Sequence, residues 1–412
     1  MGPVALAVFL GGIGGGIAFP ILPLLGVRLG LSGIFIGFIL SANRITRLGM
    51  NPVSGSWIDR VGGKIPLTVG LLIEAAATGT FSLALHTTIP GWLLLLGRVV
   101  WGIGSSLLLV GGTTLALNLS NEKTRGRSTA LVGMALSLGM PAGMLAGGVI
   151  AGFISDEAAF VAATIAAAAA AAMSWLLIPG AKGASQPPGV PESSTPGLTT
   201  WLRAQWLSIV RAERRIKVVW LTNLLVFFSI PGILLATLVL VVYQRRLTLP
   251  GFDVQATAGV MMAVMISSSA AGTVLVGRLI DRVSSRVLPA IPAIGAAAAG
   301  FALLGLSTRL IPAAVSLVLI GAGSGATSTP LLALLGDLTP GERRGNVVGL
   351  YQFFGDIGGS FGPIAGLELG GRFGYQPVYL GVTVIFAVIA ILLVRIHAAE
   401  RSLAAARADR RI

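Results

Sequence analysis

Twelve stretches of about twenty mostly apolar residues follow one another along this chain, at 4–25, 33–54, 65–86, 91–116, 127–153, 157–178, 216–242, 255–278, 287–307, 311–335, 346–369 and 375–396. A helix needs about 20 such residues to cross the hydrocarbon of a bilayer. Lipid offers no partner to backbone N–H and C=O groups, so only helices or closed barrels can span it. These stretches are long and rich in Leu, Ala and Gly, not short and alternating, which predicts helices rather than a barrel. The composition agrees, with 54% hydrophobic and 11% charged residues. The first stretch is too long for a signal-peptide core and lacks a basic lead-in, so it reads as a span.

A formal charge of +14 raises the question of nucleic acid, and its distribution answers it. Of the 29 Lys and Arg residues, 21 fall on one side when loops are assigned alternately. They occupy 55–64, 120–127, 179–217, 278–286, 340–345 and the C-terminal tail together with Arg395 just before it. Arg28, Arg245, Arg246, Arg309 and Arg372 fall opposite, and Arg44, Arg47 and Arg98 lie inside spans. This asymmetry predicts that both termini are cytoplasmic in a multi-pass protein of the cell (inner) membrane. The basic excess then serves topology and anionic lipid, not nucleic acid. Cysteine is absent, which excludes disulfides and thiol chemistry, and the two histidines, His86 and His397, are far apart. No metal or cofactor is expected.

The chain also repeats itself. Gly55-Ser-Trp-Ile-Asp59-Arg60-Val-Gly-Gly-Lys64 returns as Gly277-Arg-Leu-Ile-Asp281-Arg282-Val-Ser-Ser-Arg286. Further on, Arg125-Gly126 returns as Arg344-Gly345, and Gly139, Gly143 and Gly147 return as Gly358, Gly362 and Gly366. Each half holds six spans, an even number, so both copies point the same way and form a parallel repeat. The expected organisation is a six-helix bundle at 1–178, a linker at 179–215, a second six-helix bundle at 216–396 and a basic tail at 397–412. The linker is rich in Pro, Gly and Ser, and its end, Trp201–Lys217, has the composition of an amphipathic helix lying on the inner leaflet.

At these residues the chain resembles the major facilitator superfamily along its whole length. The 55–64 segment is similar to the family's G-x-x-x-D-R-x-G-R-K signature at Gly55, Asp59, Arg60, Gly62 and Lys64, with Gly63 in place of one basic residue. The fourth span, LLLGRVVWGIGSS, resembles the signature that carries an intramembrane Arg before Gly-x-Gly, here Arg98, Gly102 and Gly104. That signature is commonest among proton-coupled members, drug exporters especially. The family's G-P-x-x-G-G pattern is only partly met in span 5, where Met144 stands in the Pro position and Pro141 lies three residues earlier. Gly362-Pro363 in span 11 is the better match. The resemblance implies an all-α polytopic protein of twelve transmembrane helices in two parallel-related bundles, working by alternating access.

Five charged residues inside spans are the candidate machinery: Arg44, Arg47, Glu74, Arg98 and Asp356. Each intramembrane charge costs about 2.5–3.5 kcal/mol at a span centre, so it must pair, face water or bind something. Arg44, Arg47 and Asn51 share a helix face at i, i+3, i+7, with Asn43 beside it. Two guanidinium forks one turn apart suit a carboxylate or phosphate on a substrate. The competing reading pairs one Arg with Glu74 or Asp356 and lets the other reach the cytoplasm. Asp356, replaced by Ser137 in the first half, is the leading candidate for proton coupling, ahead of Glu74 and Arg98. Gly55, Asp59, Arg60, Lys64, Asp281 and Arg282 are read as a cytoplasmic gate. Pro141, Gly143, Gly362 and Pro363, with the glycine-rich first span, are read as sites of helix bending.

These features point to a secondary transporter, acting as a monomer among membrane lipids, that exports a small organic or amphiphilic, in one version anionic, solute in exchange for protons. A symporter of an anionic metabolite and a lysolipid flippase would use the same arginine pair. A membrane-embedded enzyme is disfavoured by the absence of a P-loop, G-x-S-x-G, a metal-ligand cluster or a Cys nucleophile.

Overall fold

The fold is seen in a computed structural model that describes residues 1–121, 124–180, 208–280, 283, 285–339 and 344–409, without the side chains of 344–345 and 399–409. Asp281, Arg282 and the proposed amphipathic segment through Trp206 lie outside the described residues. Within them the chain forms twelve helical rods and no strand. They are α1 (Gly2–Arg28), α2 (Gly33–Val61), α3 (Lys64–Ala84), α4 (Pro90–Asn118), α5 (Arg125–Phe153) and α6 (Asp156–Leu177). The second half supplies α7 (Arg214–Arg245), α8 (Val254–Leu279), α9 (Ala290–Leu306), α10 (Leu310–Leu338), α11 (Arg344–Phe373) and α12 (Tyr375–Asp409).

Among the described residues nine rods are long and apolar enough to cross a membrane. The exceptions are the shorter α9, α2, which carries Arg44 and Arg47, and α11, which carries Asp356. Polarity, not length, sets α2 and α11 apart, since they are 29 and 30 residues long.

Local signals set the ends. Ser155 caps α6 by accepting from the Ala158 N–H at 3.0 Å, and Asp156 and Glu157 follow in the first turn, where the helix dipole favours acids. Gly62, at φ 83, terminates α2. The helix therefore runs on through Val61, so Gly55, Asp59 and Arg60 sit on its last turns and not in the loop expected from their polar, Gly-containing sequence. Gly277 likewise lies inside α8. The turn-forming composition marks only the final two residues, Gly62 and Gly63; from Gly55 to Val61 no proline or positive φ interrupts the i→i−4 ladder, and α2 carries its one proline, Pro52, further upstream. α7 is interrupted by a π-helical segment, Phe228–Leu234, which holds Pro231.

The contacts group the chain into two units. The first comprises Met1–Ser185, Pro231–Ala263 and Gly359–Arg372, and the second Gln186–Ile230, Val264–Gly358 and Phe373–Ile412. In the first unit α1 packs on α5 and α6, α3 on α4 and α6, and α2 on α4. In the second, α9 packs on α10 and α12.

Glycines carry these seams. A Cβ on Gly143 would overlap the Ile13 carbonyl, and one on Gly16 the Met140 carbonyl, so α1 and α5 touch backbone to backbone. Gly102 lies on the Asn43 carbonyl and Gly104 on the Gly70 carbonyl. The second half repeats the pattern. Gly321 lies on the Met265 carbonyl and Gly323 on the Ala293 carbonyl, each glycine 219 residues beyond its counterpart. Gly139 against the Phe9 carbonyl becomes Gly358 against the Leu224 carbonyl, and Gly147 against Ile17 becomes Gly366 against Ile233. The repeat read from the sequence is thus a repeat of contacts.

If these contacts hold the first unit together, Gly143→Ala will force α1 from α5 and cost about 1–3 kcal/mol, as overpacking does. Gly49→Ala, in open space on α2, is the control. Thermal unfolding of the purified variants should show a clear drop for the first and none for the second; equal melting would mean the seam yields freely.

Candidate functional site

Arg98 is the most deeply buried cation described, and its hydrogen bonds run to one helix. Nε donates to the Ile39 carbonyl at 3.3 Å, and Nη2 to the Leu40 carbonyl at 3.1 Å and to Asn43 Oδ1 at 2.7 Å. All three acceptors belong to α2, so the guanidinium ties α4 to α2. It stands 5.9 Å from the Phe19 ring and 5.6 Å from the Trp101 ring. Charge-assisted bonds and ring faces supply what water would otherwise give. Asn43, expected beside a substrate clamp, is instead the side-chain acceptor for Arg98.

The architecture does not require this network. At the equivalent positions of the second half stand Leu317 for Arg98 and Met265 for Asn43, both buried. The same seam geometry is met there by apolar side chains.

Glu74 is fully buried on α3, and neither carboxyl oxygen has a hydrogen-bond partner among the described residues. It rests against α4, where a Cβ on Gly104 would stand 2.8 Å from its Cγ, and against α1, where one on Gly11 would stand 3.0 Å from Oε2. The reading that paired Glu74 with Arg44 or Arg47 is therefore not met. Glu74 faces α1 and α4, whereas the Arg44 guanidinium lies against Gly359 of α11. Ala297, also buried, holds the equivalent place in the second half. Beside Glu74, the Trp101 Nε1–H is also buried without a hydrogen-bond partner among the described residues.

Arg44 is buried, is a charged neighbour of Arg98, and takes its place in a seam between α2 and the end of α11. Along that seam Gly33 and Gly37 meet Leu367 and Ile364, and the Ser41 hydroxyl donates to the Ser360 carbonyl. Arg47 is half-buried. Asn51 Oδ1 accepts from Ser106 at 2.8 Å, and Ser106 in turn meets Ser54 at 2.8 Å. Of the four residues expected to hold substrate, Asn43 and Asn51 are thus engaged with α4. Asp356 is half-buried on α11, two residues beyond Phe354, whose ring stacks on Trp220 of α7 at 5.7 Å.

Asp59 and Arg60 are exposed on the last turn of α2, and Gly55 precedes them. Lys64 opens α3 with its Nζ 5.4 Å from the Trp175 ring centroid of α6. Pro141, Gly362 and Pro363 are buried within α5 and α11, and Gly143 is fixed by its backbone contact. Sequence reasoning passed over Trp101 and the Asp156 cluster. Trp101 lies three residues after Arg98, on the same helix face, which was the available signal. Asp156 accepts from Gln255 at 2.7 Å and meets Arg28 at 3.5 Å, and no spacing in the sequence announces those partners.

The sequence model of the Major Facilitator Superfamily matches residues 4–363 and again 256–411. "Multidrug resistance protein 1" of Bacillus subtilis is 30% identical over 132 residues, 32% of this chain and 33% of that protein. "Quinolone resistance protein NorA" of Staphylococcus aureus is 26% identical over 136 residues, 32% of this chain and 34% of that protein. The chain thus spans about a third of the length of the curated relatives it matches. Among solved structures, a bacterial homologue of the human lysosomal transporter Spinster superposes with TM-score 0.74 at 17% identity, covering 95% of this chain and 96% of that one. The nucleoside transporter NupG gives TM-score 0.75 at 15% identity, covering 95% and 98%. At such identities these two likenesses speak to the fold.

The Arg98 network makes its own prediction. Asn43→Leu removes the shortest acceptor of a buried charge and should cost about 1.5–3 kcal/mol. Asn51→Leu, which breaks a bond between neutral groups, should cost about 1 kcal/mol. Thermal unfolding of both variants in detergent checks the order; the reverse order would show that Arg98 is held by its carbonyls alone.

Proposed function

The chain belongs to the major facilitator superfamily, and on that premise we propose that it is a proton-coupled exporter of small amphiphilic organic solutes. That it is a membrane transporter of small molecules and not an enzyme follows from the family and from its structural neighbours. Export, and a broad amphiphilic substrate class, are carried over from the relatives whose names speak of multidrug and quinolone resistance. The proposed setting is the cell membrane, with both termini cytoplasmic.

The observation that carries proton coupling is Glu74. A carboxyl that is fully buried, has no hydrogen-bond partner among the described residues and is replaced by Ala297 in the repeat does no packing work that alanine cannot do. Its place is then explained by its chemistry, and the chemistry a buried carboxyl without a partner among the described residues offers is to take and give a proton. Asp356, first in line from sequence, is only half-buried and takes second place. Arg98, fixed to α2 by three hydrogen bonds, holds the helix whose intramembrane charges are Arg44 and Arg47. In this proposal Arg47, half-buried, meets the polar end of the solute, and Arg44 helps to hold the α2–α11 seam. Asp59, Arg60 and Lys64 belong to the gate at the other end of α2.

Alternating access converts a proton gradient into solute movement only if protonation favours one of two states. Glu74→Gln removes the titrating group and keeps the shape. In proteoliposomes with an imposed pH gradient, the variant should lose gradient-driven movement of a fluorescent amphiphilic dye while binding the dye as the parent does. Dye movement that still follows the gradient would rule Glu74 out and turn attention to Asp356→Asn in the same assay.

A further inference from the structure

Two buried polar groups without hydrogen-bond partners among the described residues lie on the paired helices α3 and α4, one able only to donate and the other able to accept. They are the Trp101 Nε1–H on α4 and the Glu74 carboxyl on α3. Two independent rulers place them one helical turn apart. On α1, a Cβ on Gly11 would stand 3.0 Å from Glu74 Oε2, and one on Gly14 would stand 3.6 Å from Trp101 Nε1. On α4, Trp101 is three residues from Gly104, whose Cβ would stand 2.8 Å from Glu74 Cγ. Residues three apart on a helix are neighbours about 5–6 Å from each other. Rotation of the Glu74 and Trp101 side chains spans that distance.

The second half offers a comparison within the same protein. Where Glu74 becomes Ala297, Trp101 becomes Ile320, also buried. Donor and acceptor disappear together, while the glycine contacts on either side of them, Gly321 and Gly323, remain.

We propose that Trp101 is the positioning residue for Glu74: the ionised carboxylate takes the Nε1–H as a hydrogen bond, and the protonated carboxyl lets it go. This rests on the reading of Glu74 as the proton-carrying group. A bond from an N–H to an ion is shorter and stronger than one to a neutral acceptor, so the pair closes on loss of the proton and opens on its return. Because the Trp101 ring lies against the Arg98 guanidinium, each closure moves the group that holds Ile39, Leu40 and Asn43 of α2. Other charges face Glu74 sparsely. Of the helices packed against α3, α4 brings Arg98 and α2 brings Arg44 and Arg47 at mid-length, while the ionisable residues of α1 and α6 stand at helix ends.

Ultraviolet resonance Raman spectroscopy reads hydrogen bonding at an indole N–H and needs no substrate. The difference between the parent and Trp101→Phe isolates Trp101 from the remaining tryptophans. Its band should move from unbonded to bonded between acidic and alkaline pH, and the movement should be lost in Glu74→Gln. Should Trp101→Phe fail to fold, the pH difference spectra of parent and Glu74→Gln give the same test. A Trp101 band that ignores pH, or titrates unchanged in Glu74→Gln, overturns the pairing. An invariant band with gradient-driven transport lost in Glu74→Gln would overturn the pairing and keep the proton-coupled reading. A Glu74-dependent band in a protein whose transport ignores the gradient would keep the pair and remove that reading.

Discussion

Helices in lipid gain little by burying apolar side chains against one another, because the lipid is already apolar. What draws these helices together is close approach of their backbones, and that requires residues without side chains at the points of contact. The seams Gly143 on Ile13, Gly102 on Asn43 and Gly104 on Gly70 meet this condition in the first half, and Gly321 on Met265 and Gly323 on Ala293 meet it in the second. Positions of the helices, and therefore of every side chain between them, follow from these contacts.

A duplicated scaffold of this kind makes the differences between its halves informative. Where both halves have glycine, the residue serves packing. Where one half has a polar group and the other an apolar one in the same seam, packing does not explain the polar group. Arg98 against Leu317, Asn43 against Met265, Glu74 against Ala297 and Trp101 against Ile320 are four such differences, and all lie within one bundle of α1 to α4. The polar interior of the first half is therefore concentrated, with a fixed cation, its acceptor, an indole and a carboxyl without a partner among the described residues along neighbouring helix faces.

Much of the fold was legible in the sequence because its signals are local. Apolar runs of span length gave the twelve rods, and the register of Gly139, Gly143 and Gly147 with Gly358, Gly362 and Gly366 gave the repeat. The charged residues were equally visible, but their partners were not. Which group Arg98 meets depends on how α2 and α4 are rotated about their axes, and two residues 55 positions apart carry no mark of that rotation. Glu74 and Arg44 looked like partners because both were costly charges on adjacent spans. They separate because one faces α1 and the other α11. The 55–64 signature was read as a loop from its glycines, yet only the positive φ of Gly62 breaks the helix, and φ is not written in a sequence.

Mechanical compliance is the remaining issue, and α7 bears on it. Its π-helical segment Phe228–Leu234 already departs from the i→i−4 ladder and contains Pro231, and the boundary between the two contact units falls at Ile230 and Pro231. In hydrocarbon a bend usually costs several kcal/mol for each backbone group it leaves without a partner. A rod with uniform α-helical bonding is stiff for that reason. One that carries a single wide turn has its softness in one place, so α7 behaves as two stiff struts joined by a short spring, and elastic strain imposed at either end gathers in those seven residues.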